Sequence, residues 1–201
     1  MNDLADSTPP ASRNAEAGAS AAPTIPPVIR EAGEDDLPAI QAIYAHHVLH
    51  GLGSFEEVPP DLAEMRRRWS ALRACGYPYL VASLRDAVVG YAYVGPYRPR
   101  PAYRYCIESS VYVAPDQARR GIGRALLGAL IERATAAGYR RMVAVIGDSA
   151  NHASIRLHKA LGFEEAGLLP SVGFKFGRWV DSVTLQRPLG EGDRTLPPPH
   201  V

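Results

Sequence analysis

The chain has 201 residues, 46 % of them hydrophobic, and its 22 Lys and Arg against 21 Asp and Glu leave a net charge of +1. That is one domain of ordinary size with enough apolar material for a core, and too little basic surplus for a protein that grips nucleic acid through phosphate neutralisation. Two cysteines exclude a disulfide scaffold and a four-cysteine zinc site, no apolar run approaches the ~20 residues of a membrane span, and the acidic start lacks a secretory signal's apolar stretch. The expected address is therefore the cytoplasm, with no membrane partner.

Eight of the 18 prolines fall in residues 1–27 or 191–201, stretches without helical or strand periodicity. Both read as disordered tails, which leaves a single folded unit over 28–190. In chain order, Val28–Arg30 reads as a short strand. Asp35 or Asp36 then caps a helix whose apolar stripe is Leu37, Ile40, Ile43, Tyr44 and Val48, ended by Gly51. Pro59-Pro60-Asp61 opens a second helix with Leu62, Met65, Trp69 and Leu72 at helical spacing and Gly76 beyond it. Tyr79–Leu84 and Val88–Val94 read as a hairpin around Arg85-Asp86. A Pro- and Arg-rich loop covers Pro96 to Arg104, and Tyr105–Val113 is the next strand. A turn at Arg119–Gly123 leads into a helix to about Ala137. Met142–Ile146 is a continuous apolar strand, as in a sheet covered on both faces. A helix from Asn151 to about Leu161 and strands near Phe163–Leu168 and Val180–Gln186 complete an α/β chain with a mixed sheet.

The chemistry-bearing segment is Val111-Tyr112-Val113 followed by Arg119-Arg120-Gly121-Ile122-Gly123-Arg124. A strand, a two-glycine turn and a helix start bring successive backbone N–H groups and a partial positive charge to one spot, which suits a pyrophosphate. The segment lacks the Gly-Lys-Ser/Thr of a P-loop and the third glycine of the dinucleotide fingerprint. On composition alone, an ordinary helix-capping turn explains it equally well.

These residues, with Asn151, Ser154, Leu157-His158 and Leu161-Gly162-Phe163, resemble the GNAT superfamily of N-acetyltransferases over Val28 to Leu189. Further segments are similar to its phosphinothricin and methionine sulfoximine N-acetyltransferase group: Ser54-Phe55-Glu56, Val94 to Arg100, Glu108 to Val113, Val143 to Gly147 and Gly173 to Trp179. The resemblance implies a GNAT-type acyl-CoA N-acyltransferase fold, acetyl-CoA as co-substrate and a homodimer. It implies that Val111, Tyr112 and Val113 pair with the pantetheine arm, that Arg119 to Arg124 hold the pyrophosphate, and that Asn151 lies near the arm. One departure is Ala118, where the family usually has Gln or Arg; Gln117 stands one position early.

Acetyl transfer to an amine needs a base, an oxyanion donor and a proton for the departing sulfur. Glu108 sits in an otherwise apolar strand, where burial would raise its pKa towards the working pH. As an isolated residue it reads first as a solvent-facing carboxylate; the resemblance reverses that and implies the general base. His158 replaces the superfamily's usual Tyr, a match to the subgroup, and is expected to move a proton as acid or as base. Cys106 shares the strand face of Glu108 and offers a covalent acetyl-enzyme route, against the commoner fate of a small buried thiol.

Arg98 and Arg100, stiffened by Pro99 and its neighbours, are candidates to hold a carboxylate or phosphinate, with Lys175 and Arg178 as further candidates. Phe55 and Tyr103 are candidate pocket walls. His46 and His50 are four residues apart but lack a third ligand, so no metal is expected. The expected function is acetyl transfer to the α-amine of a small amino acid; another small amine, a protein N-terminus and a non-catalytic acyl-CoA-binding module are the alternatives.

Overall fold

The computed structural model describes residues 26–197. Most of the tail expected over 1–27, and the last four residues of that expected over 191–201, lie outside them. The elements are β1 (Val28–Glu31), α1 (Leu37–His50), α2 (Leu62–Ala74), β2 (Tyr79–Leu84), β3 (Ala87–Pro96), β4 (Cys106–Val113), α3 (Ile122–Ala136), β5 (Arg141–Gly147), α4 (His152–Lys159), β6 (Glu164–Lys175) and β7 (Arg178–Pro188). The strands form one seven-stranded sheet in the order β1-β2-β3-β4-β5-β7-β6. Every neighbouring pair is antiparallel except β4 and β5, which run parallel. The mixed α/β sheet flanked by helices is the architecture the sequence led us to expect.

Helices cover both faces. Leu126, Leu127 and Leu130 of α3 pack on Ala92, Ile107 and Met142 from one side. Leu37, Ile40, Tyr44 and Val48 of α1 and Met65 of α2 pack on Tyr79, Val81 and Tyr91 from the other. Two-sided burial explains why β5 reads as a continuous apolar run. The β2–β3 turn places Arg85 and Asp86 at φ 47° and 67°, the paired left-handed conformation of a tight two-residue hairpin.

The start of α1 differs from expectation. A short 3₁₀ turn, Glu34–Asp36, precedes it, and Asp36 makes no side-chain cap. Its carboxylate instead accepts two bonds from Arg30, at 2.6 and 2.8 Å, and one from the Gly33 amide at 2.8 Å. Arg30 and the Gly33 amide hold the Asp36 pKa below the ordinary carboxylate range. α2 follows the expected rule: Asp61 accepts from the Glu64 amide at 2.8 Å.

β6 and β7 run to 12 and 11 residues, longer than the sequence suggested. Nearly all of β6 is exposed, so it lacks the inward-facing apolar alternation that marks a strand. Residues 191–197 turn back against the start of β5, where Arg140 donates to Thr195 Oγ1 and to the Leu196 carbonyl, each at 3.2 Å.

Candidate active site

The sheet opens between β4 and β5. Their register pairs Cys106 through Ser109 with Arg141 through Ala144 and stops there, although both strands continue. Beyond that point β5 stays paired with β7, and β4 with β3. Ser110 to Val113 therefore present a backbone edge that β5 does not cover. A cleft of about 620 Å³ fills the fork, lined by Ser109–Val113, Ala144–Ile146, the start of α3 and one face of α4.

The turn at the mouth follows from local rules. Gly121 caps α3 at φ 78°, and Arg119 is also left-handed at φ 63°; a non-glycine residue at Gly121 would carry backbone strain. The first bond into the helix runs from the Ala125 amide to the Gly121 carbonyl at 3.0 Å. The amides of Ile122, Gly123 and Arg124 precede it and have no backbone partner among the described residues. Arg119 and Arg124 line the cleft beside them. Arg120 is placed differently: its guanidinium donates to Gln117 at 2.6 Å and does not line the cleft. Three free amides, two arginines and an open strand edge fit a pyrophosphate carried on an extended polar arm. Val111, Tyr112, Val113, Gly121, Ile122, Gly123 and Asn151 all line this space.

α4 supplies the histidine. Asn151 caps it, its side-chain oxygen accepting from the Ser154 amide at 3.2 Å. One turn on, His158 is 5 % exposed, and its Nδ1 lies 2.8 Å from the Ser154 carbonyl. A carbonyl only accepts, so Nδ1 carries the hydrogen, and Nε2 of the neutral ring keeps its lone pair. Burial lowers the His158 pKa below the ordinary value. The ring is thus a proton acceptor at rest, a distinction the sequence left open.

Glu108 sits on β4 just before the fork, opposite Gly95 of β3. It is half-buried; desolvation raises its pKa and the positive charge of Arg98 lowers it less strongly. Arg98 and Arg100 are exposed, with the Arg98 guanidinium 5.2 Å from the Tyr97 ring centroid. Pro99 between them is exposed as well. Cys106, two residues before Glu108, does not line the cleft; it faces a separate space bordered by Arg140 and Asp193. Burial also raises its thiol pKa, which works against a thiolate nucleophile.

Lys175 has other partners than those expected. It is buried, and Nζ donates to the Gly51 and Ser54 carbonyls at 2.9 and 2.7 Å. The lysine thereby ties the tip of the β6–β7 hairpin to the loop between α1 and α2. Phe55, in that loop, lies against Gly147 and Gly173: a Cβ at Gly147 would stand 2.0 Å from the Leu52 carbonyl oxygen and 2.9 Å from the Phe55 ring. Arg178 pairs with Asp148 at 2.6 Å, and Tyr103 packs edge-on against Tyr97.

His47 belongs to the histidine cluster of α1, to which the sequence reading gave no role. Its Nε2 donates to the Val113 carbonyl at 2.9 Å, and it lines the cleft. It stands seven residues after Ile40, on the inward stripe of α1, and that position is the signal that marks it. His46 and His50 lie beside it, their rings tilted at 46° with centroids 4.8 Å apart.

The fork, the free amides and the buried His158 are an arrangement that fits an acyl-CoA. The GNAT acetyltransferase domain matches residues 29–184. A phosphinothricin N-acetyltransferase of Alcaligenes faecalis is 56 % identical over 169 residues, 84 % of this chain and 86 % of the relative. An L-methionine sulfoximine/L-methionine sulfone acetyltransferase of Pseudomonas aeruginosa is 51 % identical over 160 residues, 79 % of this chain and 92 % of the relative. The crystal structure of a Sinorhizobium meliloti GNAT phosphinothricin acetyltransferase in complex with acetyl-CoA superposes with a TM-score of 0.85 at 48 % identity, covering 88 % of this chain and 96 % of that one. The chain belongs to the GNAT acetyltransferase family. It is an acetyl-CoA-dependent N-acetyltransferase.

Proposed function

We propose that the protein acetylates the α-amine of a small amino acid of the methionine sulfone, methionine sulfoximine or phosphinothricin kind, with residues 28–190 as the catalytic unit. One observation carries this reading: a half-buried carboxylate, Glu108, stands at the fork that receives the thioester, with Arg98 close enough to be felt in its titration. Those two charges suit an amino acid's ammonium and carboxylate, and relatives named for such acceptors share about half of the sequence.

The acetyl thioester supplies the electrophile. Glu108 takes one proton from the incoming ammonium, leaving a neutral amine. The nitrogen bonds to the acetyl carbon, and the oxygen gains charge that an uncovered amide on Ser110–Val113 can stabilise. The second amine proton goes to His158 Nε2, directly or through a water. The C–S bond then breaks, and His158 returns that proton to the departing thiolate. The remaining proton leaves Glu108 for solvent.

The working form is a homodimer. Leu168, Leu169, Val172, Phe174, Phe176 and Trp179 are all exposed along one hairpin at the sheet's edge, and large apolar side chains grouped in this way suit a surface covered by a second chain. The place of action is the cytoplasm, a setting that suits two free cysteines.

The test is thiol release from acetyl-CoA over a panel of phosphinothricin, methionine sulfoximine, methionine sulfone, natural amino acids and peptides. Turnover concentrated on the first three is the expected result. A preference for peptides, or no turnover above hydrolysis, would overturn the assignment.

A further inference from the structure

Past Ser109, β4 loses β5 as a neighbour and keeps β3. The direction of its backbone groups there follows from one bond. The Ala114 amide donates to the Val89 carbonyl at 2.9 Å, so residues 89 and 114 form a hydrogen-bonded pair of the antiparallel ladder. Such pairs alternate with pairs whose backbone groups point outward. Tyr112 opposite Tyr91 and Ser110 opposite Tyr93 therefore turn their N–H and C=O groups to β3. Val111 opposite Ala92 and Val113 opposite Gly90 turn theirs away from β3, into the fork. The strand edge offered to an acyl-CoA arm is thus two amides and two carbonyls, on Val111 and Val113.

One of these four groups is already engaged. His47 Nε2 donates to the Val113 carbonyl at 2.9 Å, and both residues line the cleft. The Val113 carbonyl and the Ala114 amide belong to one peptide unit. His47 holds that unit on its fork side and Val89 holds it on the other, at the point where β4 ends and the chain leaves for the glycine turn. Hydrogen bonds in series polarise one another, so each grip strengthens the other.

The histidine is itself fixed. Its half-buried ring has its centroid 5.4 Å from that of Tyr112, which packs edge-on against Tyr44 at 5.1 Å. The His47 carbonyl accepts from the Gly51 amide at 3.0 Å, and the Gly51 carbonyl accepts from Lys175 Nζ at 2.9 Å. A Cβ at Gly51 would stand 2.9 Å from the His47 carbonyl oxygen, so the helix end closes directly on this residue. Burial lowers the His47 pKa, the Val113 bond raises it less strongly, and His46 lowers it further. The resting ring is neutral with its hydrogen on Nε2, since a carbonyl only accepts.

We propose that His47 is a positioning residue for the co-substrate: it pins the Val113 peptide so that the Val113 amide and both backbone groups of Val111 stand as a ready strand edge for the acetyl-CoA arm. The fork-side face of β4 past Ser109 has lost β5, and a side chain from α1 stands in for the missing strand at its last residue. The role concerns acetyl-CoA alone and holds whichever amine is the acceptor.

The experiment measures the calorimetric Kd of acetyl-CoA, which needs no acceptor. His47→Leu removes the donor and keeps apolar packing on Tyr112; it should weaken binding by about tenfold, the effect of one lost hydrogen bond to a carbonyl that is left without a partner. His47→Gln places an amide N–H at similar reach and should recover most of that loss. With an amine that the protein acetylates, His47→Leu should raise the acetyl-CoA KM and leave the acceptor KM at the parent value. An unchanged Kd in His47→Leu overturns the proposal. So does tighter binding, because the histidine would then be competing with the arm for the carbonyl. A His47→Gln variant as weak as His47→Leu also overturns it, because the loss would be one of ring packing.

Should His47→Leu fail to fold, the unaltered protein decides. Nitrogen-15 spectra of its histidine rings should show the Nε2–H form of His47, with that hydrogen slow to exchange, both free and with acetyl-CoA bound. Persistence of this form in the complex supports the proposal, and its loss or rapid exchange on binding overturns it.

Discussion

In the proposed reaction Glu108 acts as the base from a half-buried position beside a positive charge. Desolvation raises its pKa above the ordinary value and Arg98 pulls it back, so the base ionises as pH rises through a raised pKa, and kcat/KM should climb across that limb. Glu108→Gln should remove the limb and lower kcat by at least about 100-fold, with the acetyl-CoA KM little changed. Arg98→Gln should move the limb to higher pH, because the term favouring the carboxylate is gone; a pH–rate profile reads both. His158 has the opposite sign. Its folded pKa is depressed, so the unfolded chain binds the proton more readily. Its contribution to stability is complete above the unfolded value of about 6.5 and is lost as pH falls from there through the folded pKa. Melting temperatures from pH 7.5 down to 5 should fall, and less steeply in His158→Gln. The glycine turn is a local pattern that can be read from the sequence, whereas the roles expected of Glu108 and His158 came from the family resemblance. The placement of His47 against the Val113 carbonyl was not legible, because the residue reads as part of a helix stripe until α1 packs on the sheet.

At the scale of elements, the fork and the long hairpin set the site. The early strands and helices could be read from periodicity and turn residues, since one apolar face of each packs inward. The β4–β5 register, which stops at Ser109 and Ala144, follows from no residue pattern; only the family resemblance implies a splayed strand pair there. Nor does any pattern mark the full length of β6, whose residues alternate towards solvent on both sides. The hairpin's tip reaches the loop after α1 through Lys175, and that contact yields a prediction. Lys175→Met removes two hydrogen bonds from a charged donor and leaves two carbonyls with poorer partners. A cost of about 2–4 kcal/mol in unfolding free energy is expected, with a raised acceptor KM because Phe55 rides on the same loop. Gly147→Ala tests the opposite side of that loop. Its new Cβ would collide with the Leu52 carbonyl, so overpacking of about 1–3 kcal/mol should accompany displacement of Phe55. Denaturant titrations give both stabilities.

For the whole molecule, a near-zero net charge conceals a polarised surface. Arg119 and Arg124 line the cleft and Arg98 and Arg100 stand exposed in the loop after β3, while Glu31, Glu56 and Glu64 are held in ion pairs elsewhere. The apolar surface is polarised too. β6 ends the sheet order, so its outer edge has unpaired backbone groups, and Phe174 and Trp179 stand 57 % and 64 % exposed beside it with ring centroids 5.2 Å apart. An exposed edge strand with apolar side chains is a template for association unless charge or covering protects it. A second copy of the chain, bringing the same patch by two-fold symmetry, would cover both edges at once. Light scattering at micromolar concentration should therefore return twice the 21.7 kDa chain mass. Phe174→Lys with Trp179→Lys places like charges on both sides of such an interface and should return the single-chain mass with the fold retained by circular dichroism. Because Lys175 adjoins Phe174 and holds the loop that carries Phe55, the monomeric variant should also show a raised acceptor KM at an unchanged acetyl-CoA KM. A single-chain mass for the unaltered protein would instead leave the hairpin's apolar face to some other partner.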